Sequence, residues 1–289
     1  MMHYPDSELL INPDGSIFHL HLKPEQLADT VLLVGDPGRV LMISSFFDAI
    51  ECQVENREFV TITGCYKGKR ISVVGTGIGT DNIDIVLNEL DALVNIDLTT
   101  RLEKEVKKSL TIIRIGTCGG LQPDLPVGTF LVSEKSIATD GMLYFYEGFE
   151  KINDAMFQME FEAQTVWPDY FNVPLVVNSD IELVNKIAGK TMKRGVTISA
   201  NGFYGPQGRR LRIPLKIPDL VAKIEEFSTE NYKITNFEME SSAVAGLSAL
   251  LGHKAMTVCL VIANRKAKKA DVDYQDAMKK LVSTVLERL

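Results

Sequence analysis

Two carboxylates stand one residue apart in NFEMES, residues 236–241, shortly before the apolar run AVAGLSALLG. Glu238 and Glu240 at the mouth of a buried segment repel each other and lose hydration unless a partner there needs them. Arg114 poses the converse problem, because it lies inside the apolar stretch TIIRIGT, where an unpaired charge is costly. A guanidinium presents a planar fork of donors that matches phosphate oxygens. Arg39, just past the turn GDPGR, offers a second fork. Arg114, Thr117 and the amide of Gly35 each stand at a strand's end, and together could converge on one small dianion. The alternative for Arg114 is a structural pair with a core carboxylate. Catalysis by the two glutamates as a glycosidase pair has no support, since such carboxylates are recognised by their separation across a scissile bond.

Three strand-like runs end in glycine turns, VGDPGR, GTGIGTDN and RIGTCGG. Glycine lets the backbone approach a ligand closely, although any one such turn alone reads as a strand end. Gly75, Gly77 and Gly79 make G-x-G-x-G, which is not the dinucleotide fingerprint G-x-G-x-x-G. No Gly-Lys-Ser/Thr follows a glycine loop, so a Walker A site is excluded. A fourth glycine-rich stretch, NGFYGPQGRRLR, reads by itself as a loop with surface arginines, among them Arg210 and Arg212.

The chain of 289 residues is 45% hydrophobic and 24% charged, an ordinary globular composition. That length suits one large α/β domain or two small ones. With no linker, repeat or low-complexity tract visible, a single domain over 1–289 is expected. No apolar stretch approaches a membrane span, and residues 1–25 lack the basic-then-apolar pattern of a signal peptide. Cys52, Cys65, Cys118 and Cys259 are scattered, so reduced thiols, no zinc site and a cytoplasmic location are expected. A net charge of −7 argues against nucleic acid or an acidic membrane surface as partner. An anionic ligand would need arginines gathered locally.

The elements that would position these residues alternate between β-branched apolar runs and helical patterns, as in a sheet flanked by helices. TVLLVG, KRISVVGTGIG, SLTIIRIGTCGG, GTFLVSEKSIA and HKAMTVCLVIANR read as strands. PGRVLMISSFF reads as a helix with proline in its first turn, and TDNIDIVLNELDALV as a helix capped by Thr or Asp. VDYQDAMKKLVSTVLERL is an amphipathic C-terminal helix, and DLTTRLEKEVKKS a charged, helix-prone surface connector. Residues 142–171, rich in aromatics, have poor periodicity and receive no assignment. The lysines of NRKAKK read as a solvated loop.

GDPGR, GTGIG, RIGTCGG and NFEMES, in that order across nearly the whole chain, resemble the nucleoside phosphorylase family of purine and uridine phosphorylase type, and within it the uridine phosphorylases. The resemblance implies an α/β fold with a mixed, partly barrel-like central sheet surrounded by helices. It implies phosphate binding by Gly35, Arg39, Arg114 and Thr117, joined by Arg57 of NREFVT from a neighbouring subunit. It sends His19 of SIFHLHL from the neighbouring subunit to the ribose 5′-hydroxyl; taken alone, His19 reads as a strand-edge histidine and Arg57 as a surface charge. His21 has no functional reading. Glu240 would accept from the ribose 2′- and 3′-hydroxyls, with Glu238 and Met239 shaping that pocket, which accounts for the carboxylates in NFEMES.

The same resemblance places Phe203, Gln207, Arg209 and Ile262 at the base. Gln207 can donate and accept along a uracil edge, and Arg209 donates to a carbonyl. Purine-cleaving relatives carry an aspartate where LVIANR sets Asn264, and an amide cannot protonate a leaving group. Cys118 replaces a Thr or Ser, and Ala263 is smaller than the usual neighbour of the base, leaving room for thymidine or 2′-deoxyuridine. Relatives hold a monovalent cation through a Glu corresponding to Glu58, but Asn82 replaces a hydroxyl ligand there. The implied reaction is phosphorolysis of uridine with inorganic phosphate as co-substrate, no cofactor and no metal. Arg114, Gln207 and Arg209 would be its electrostatic catalysts, and the shared site needs a homo-oligomer, at least a dimer, with a hexamer the larger option. A broader pyrimidine or purine phosphorylase, a hydrolase of the same fold and a non-catalytic nucleoside-binding module are the alternatives.

Overall fold

The structure is a computed structural model describing residues 3–289. Its contacts cluster into two compact units, Met1–Ile113 with Leu251–Lys254, and Arg114–Leu250 with Ala255–Leu289.

In the first unit, β1 (Thr30–Val34) is apolar on both faces and buried from Val31 to Val34, as a strand covered on both sides must be. α1 (Pro37–Ser44) starts as expected: Pro37 opens the helix and the Asp36 side chain accepts from Gly38 N at 2.9 Å. β2 (Ala49–Asn56) and β3 (Phe59–Tyr66) form an antiparallel hairpin. Arg57 in its two-residue turn adopts a left-handed φ of 52°. β3 pairs antiparallel with β4 (Lys69–Gly75), and β4 runs parallel to β1 from Thr30↔Ile71 to Val34↔Gly75. β2 lies at the margin of this sheet.

α2 (Thr80–Asn95) buries Ile83, Val86, Leu87 and Leu90 along one stripe. The expected Thr or Asp cap is corrected: Gly79, at φ 104°, occupies the cap position with no side-chain bond, and Thr80 and Asp81 lie inside the first turn. The connector expected to be helical is instead a small hairpin of β5 (Ile96–Asp97) and β6 (Leu102–Glu103). Asp97 Oδ1 accepts from the amides of Thr99 and Thr100, both at 2.9 Å, so its side chain takes donors that a helix would have used.

The second unit contains β7 (Thr111–Gly120) from Arg114 onward, β8 (Phe130–Ala138), α3 (Phe149–Ile152), α4 (Ala155–Thr165) and β9 (Leu175–Asn178). It continues with α5 (Ile181–Ala188), β10 (Lys193–Ser199), α6 (Leu220–Glu226), β11 (Ile234–Glu238) and α7 (Ser241–Leu251). β12 (Lys254–Asn264), β13 (Lys269–Ala270) and α8 (Gln275–Arg288) complete the order. β7 pairs antiparallel with β11, β11 runs parallel to β10 and β10 to β8, and β8 pairs antiparallel with β12. β12 also pairs with β7, so five strands close on themselves and the sheet is mixed and partly barrel-like, as the resemblance implied.

The unassigned aromatic stretch holds α4, whose Phe157, Phe161 and Thr165 fall at i, i+4 and i+8 and are buried. Met156 and Met159 on its outer face are exposed, and these apolar residues mask the period in the sequence. α7 is buried from Ser241 to Ser248, the behaviour of a helix that is apolar on every side.

Candidate active site

β7 brings Arg114 into the second unit's interior, where its side chain is 5% exposed. The guanidinium folds back over Gly116, two residues on along the same strand face; a methyl there would stand 2.3 Å from Arg114 Nη1. Arg114 Nη1 lies 2.9 Å from Glu238 Oε2, and Arg114 Nη2 donates to Glu240 Oε2. The pair with core carboxylates, the second reading of Arg114 in the sequence, is therefore present in the structure. Burial works against the charged form of Arg114, but the carboxylates of Glu240 and Glu238 outweigh it and raise its pKa above the ordinary arginine value. Arg114 Nε is nevertheless buried with no hydrogen-bond partner among the described residues.

The two glutamates are not equivalent. Glu238 ends β11 and caps α7: its carboxylate accepts from the amides of Glu240 and Ser241, the latter at 2.9 Å, and from the hydroxyls of Ser199 and Ser241 at 2.6 and 2.7 Å. The sequence reading gave Glu238 a share in shaping a sugar pocket, and the structure gives it this capping role. Glu240, 3% exposed, stands beyond the strand against Arg114, with Met239 half-buried between the two. Thr117 is half-buried further along β7.

Phe203, Gln207 and Arg209 do come together. Arg209 stacks its guanidinium on the Phe203 ring at 3.8 Å and donates through Nη1 to Phe203 O at 2.6 Å and Gln207 Oε1 at 2.5 Å. Gly208 between them takes φ 67°, which turns Gln207 inward to 2% exposure. Burial depresses the pKa of Arg209 below the ordinary arginine value. Gly119, near the end of β7, lies beside it: a methyl there would stand 3.7 Å from Arg209 Nη2, in ordinary contact. Ile262 is half-buried on β12.

Asn264 is bonded to backbone groups of the chain. Its amide donates to Gln122 O at 2.9 Å and Leu125 O at 2.7 Å and accepts from Ala267 N, so it ties a loop to the end of β12. The sequence reading passed over its neighbour Arg265. This residue lines a cavity of about 420 Å³ together with Arg209, Lys268 and Lys269. Burial and then the charge of Arg209 push its pKa down to about 10, and its Nη2 is buried without a partner among the described residues. The signal available in the sequence was an arginine directly after a long apolar strand, a weaker cue than the charge inside an apolar run that singled out Arg114. Burial, then the hydrogen bond with Cys259, push the Cys118 thiol well above the ordinary range, which makes it a poor nucleophile.

In the first unit, the turns after β1 and β4 meet: a methyl on Gly35 would stand 3.1 Å from Gly77 O. Arg39 is buried in the first turn of α1. His19 and Arg57, assigned by motif to a neighbouring copy's site, are joined here. Arg57 lies 5.1 Å from the centre of the Phe18 ring, and Asn56 Nδ2 donates to His19 O at 2.8 Å. His21 faces Asp14 at 3.3 Å on the surface.

A family model described as the phosphorylase superfamily matches residues 29–289. The uridine phosphorylase of Thermococcus kodakarensis is 30% identical over 262 residues, covering 87% of this chain and 79% of that protein. The chain belongs to the nucleoside phosphorylase family. A DeoD-type purine nucleoside phosphorylase of Colwellia psychrerythraea is 27% identical, covering 93% of this chain and 98% of that one. A crystal structure of a Trypanosoma brucei nucleoside phosphorylase, described as showing uridine phosphorylase activity, superposes with a TM-score of 0.89 at 31% identity, covering 98% of this chain and 99% of that chain. Nucleoside phosphorylases are pentosyltransferases that use inorganic phosphate as co-substrate and need no cofactor. No helix among the described residues is long and apolar enough to cross a membrane.

Proposed function

We propose that this nucleoside phosphorylase is a uridine phosphorylase, converting uridine and phosphate reversibly to uracil and ribose 1-phosphate in pyrimidine salvage. The observation that carries the reading is the Phe203–Gln207–Arg209 cluster, a stacked and hydrogen-bonded group with donors to spare. Gln207 Oε1 retains a second lone pair for the uracil N3–H, while the Gln207 amide and Arg209 donate to its carbonyls. As the C1′–N1 bond stretches, the ribose gains oxocarbenium character and the leaving uracil gains negative charge. Gln207 and Arg209 stabilise that charge without reorganising.

The phosphate dianion is held by Arg39, Arg114, Thr117 and the Gly35 amide, with Arg57 lent by a neighbouring copy. It stabilises the ribosyl cation and then bonds to C1′. Arg114 uses its unpartnered Nε and gives up part of its hold on Glu240, whose carboxylate turns to the ribose 2′- and 3′-hydroxyls. His19 from the neighbouring copy meets the 5′-hydroxyl, and Glu238, Met239 and Ile262 line the sugar and base. The whole chain works as one domain in a cytoplasmic homo-oligomer, a dimer or a larger assembly built from dimers.

The purine reading has its own support in the DeoD-type relatives; against it stands Asn264, an amide held by loop carbonyls that cannot protonate a leaving purine. Uridine, thymidine, 2′-deoxyuridine and inosine assayed side by side decide the matter. Turnover of uridine with strict dependence on added phosphate is expected. Preference for inosine would make the chain a purine enzyme, and turnover without phosphate a hydrolase.

A further inference from the structure

Glu89 projects from α2 and is spent entirely on one short loop. Its Oε1 accepts from His19 N at 2.9 Å and bonds His19 Nδ1 at 2.7 Å. Its Oε2 accepts from Leu20 N at 2.8 Å and His19 N at 3.1 Å. The carboxylate is an acceptor only, so Nδ1 of the imidazole must be the donor in that bond. The ring is held in a second direction by edge-on contacts with Phe18 and Phe59, centroids 4.8 and 6.5 Å away. Asn56 holds the loop's other side, donating to His19 O and Phe18 O at 2.8 and 3.3 Å. With Nδ1 committed, Nε2 on the opposite edge of a ring that is 26% exposed is the nitrogen left for a ligand.

We infer that Glu89 is a positioning residue of the phosphorolysis reaction: it fixes the tautomer and plane of His19 so that Nε2 is presented to the ribose 5′-hydroxyl of the nucleoside. This rests on the ribose role of His19 in the uridine phosphorylase reading. A loop anchor needs no imidazole in its grip; three backbone N–H bonds suffice. The fourth bond, to Nδ1, is the shortest of the set and sets the direction of the free nitrogen.

A double-mutant cycle on the full chain separates positioning from anchoring. Glu89→Gln keeps the shape but turns one acceptor into a donor facing N–H groups. With uridine it is expected to lower kcat/KM about tenfold, the worth of one positioned hydrogen bond. With 5′-deoxyuridine, or in a His19→Ala background, it is expected to change kcat/KM less than about twofold, because the interaction it supports is absent. Equal losses on both substrates, or the same loss in both backgrounds, overturn the inference and leave Glu89 an anchor. Should the wild-type protein prefer a purine nucleoside, the uridine reading falls, and the cycle run on that nucleoside and its 5′-deoxy analogue still decides Glu89. If His19→Ala leaves discrimination for the 5′-hydroxyl intact, the inference falls with the role of His19. Wild-type protein tests it without any variant: the ¹⁵N spectrum of the His19 ring is expected to show a protonated Nδ1, and the Nε2–H tautomer overturns it.

Discussion

Arg114 is the cation of two buried carboxylates, and the proposed function asks it to bind phosphate as well. Removing its charge leaves Glu238 and Glu240 buried together without their cation. Arg114→Ala is therefore expected to abolish phosphorolysis and also to cost about 3–5 kcal/mol of stability, the scale for breaking a buried ion pair. Thermal unfolding of the variant beside a phosphorolysis assay checks both; near-normal turnover would end the phosphate assignment. Arg209 is half-buried and satisfied by a backbone carbonyl and an amide. Arg209→Ala is expected to raise the barrier for uridine by about 2–4 kcal/mol, as for loss of one preorganised donor, with melting little changed. An unaltered kcat/KM would take Arg209 out of the base site. That Arg114 needed a partner was legible in TIIRIGT, because a charge in an apolar run demands one. The sequence left two partners open, and the structure pairs Arg114 with the carboxylates. Glu238 as a cap was legible only in part: its donor Ser241 lies three residues on in NFEMES, but Ser199 belongs to β10 and meets it only through folding.

β7 delivers Arg114, Gly116, Thr117 and Gly119 in a single strand, and its glycines are read through what lies over them. Gly116→Ala puts a methyl 2.3 Å from Arg114 Nη1, a clash with a buried guanidinium held by two carboxylates. The expected result is at least about a 100-fold loss of kcat/KM for phosphate, the scale of displacing one electrostatic contact. Steady-state kinetics at saturating nucleoside with phosphate varied measures it. A variant of wild-type efficiency would show that the guanidinium's position is immaterial. The buried strands were legible because runs such as TVLLV and TIIRIG are apolar on both faces, which leaves little but a covered strand. The connector at 97–109 was misread, because charge and helix propensity said nothing of Asp97 turning back onto the amides of Thr99 and Thr100. α4 escaped notice because exposed methionines fill the outer face of a helix whose inner face is aromatic.

For the molecule as a whole, the test of a shared site is complementation. Arg57 is proposed to serve the neighbour and Arg209 its own copy, so Arg57→Ala and Arg209→Ala damage opposite contributors to each site. Mixed and refolded together, the two inactive variants are expected to recover about a quarter of wild-type activity, since half the dimers are hybrids with one intact site of two. Activity no greater than the average of the separate variants would make each site self-contained. The order of motifs along the chain made the family legible, and with it the architecture. In the proposed reading the choice of base rests on a handful of side chains in 201–212, which no pattern of hydrophobicity encodes.

The open margin of β2 bears on how copies can associate. Among the described residues it has β3 as its strand neighbour, and a bare edge of this kind can template an extended chain. Glu51, Gln53 and Glu55 alternate on one face of that edge. A second copy pairing along this edge would meet two irregularities at Glu51: the register of β2 shifts between Ile50 and Cys52, and Glu51 Oε2 accepts from Arg70 Nε at 2.7 Å. A bulge of this kind bends an edge away from the regular repeat that an intermolecular sheet requires, which disfavours extension of this sheet by a second chain.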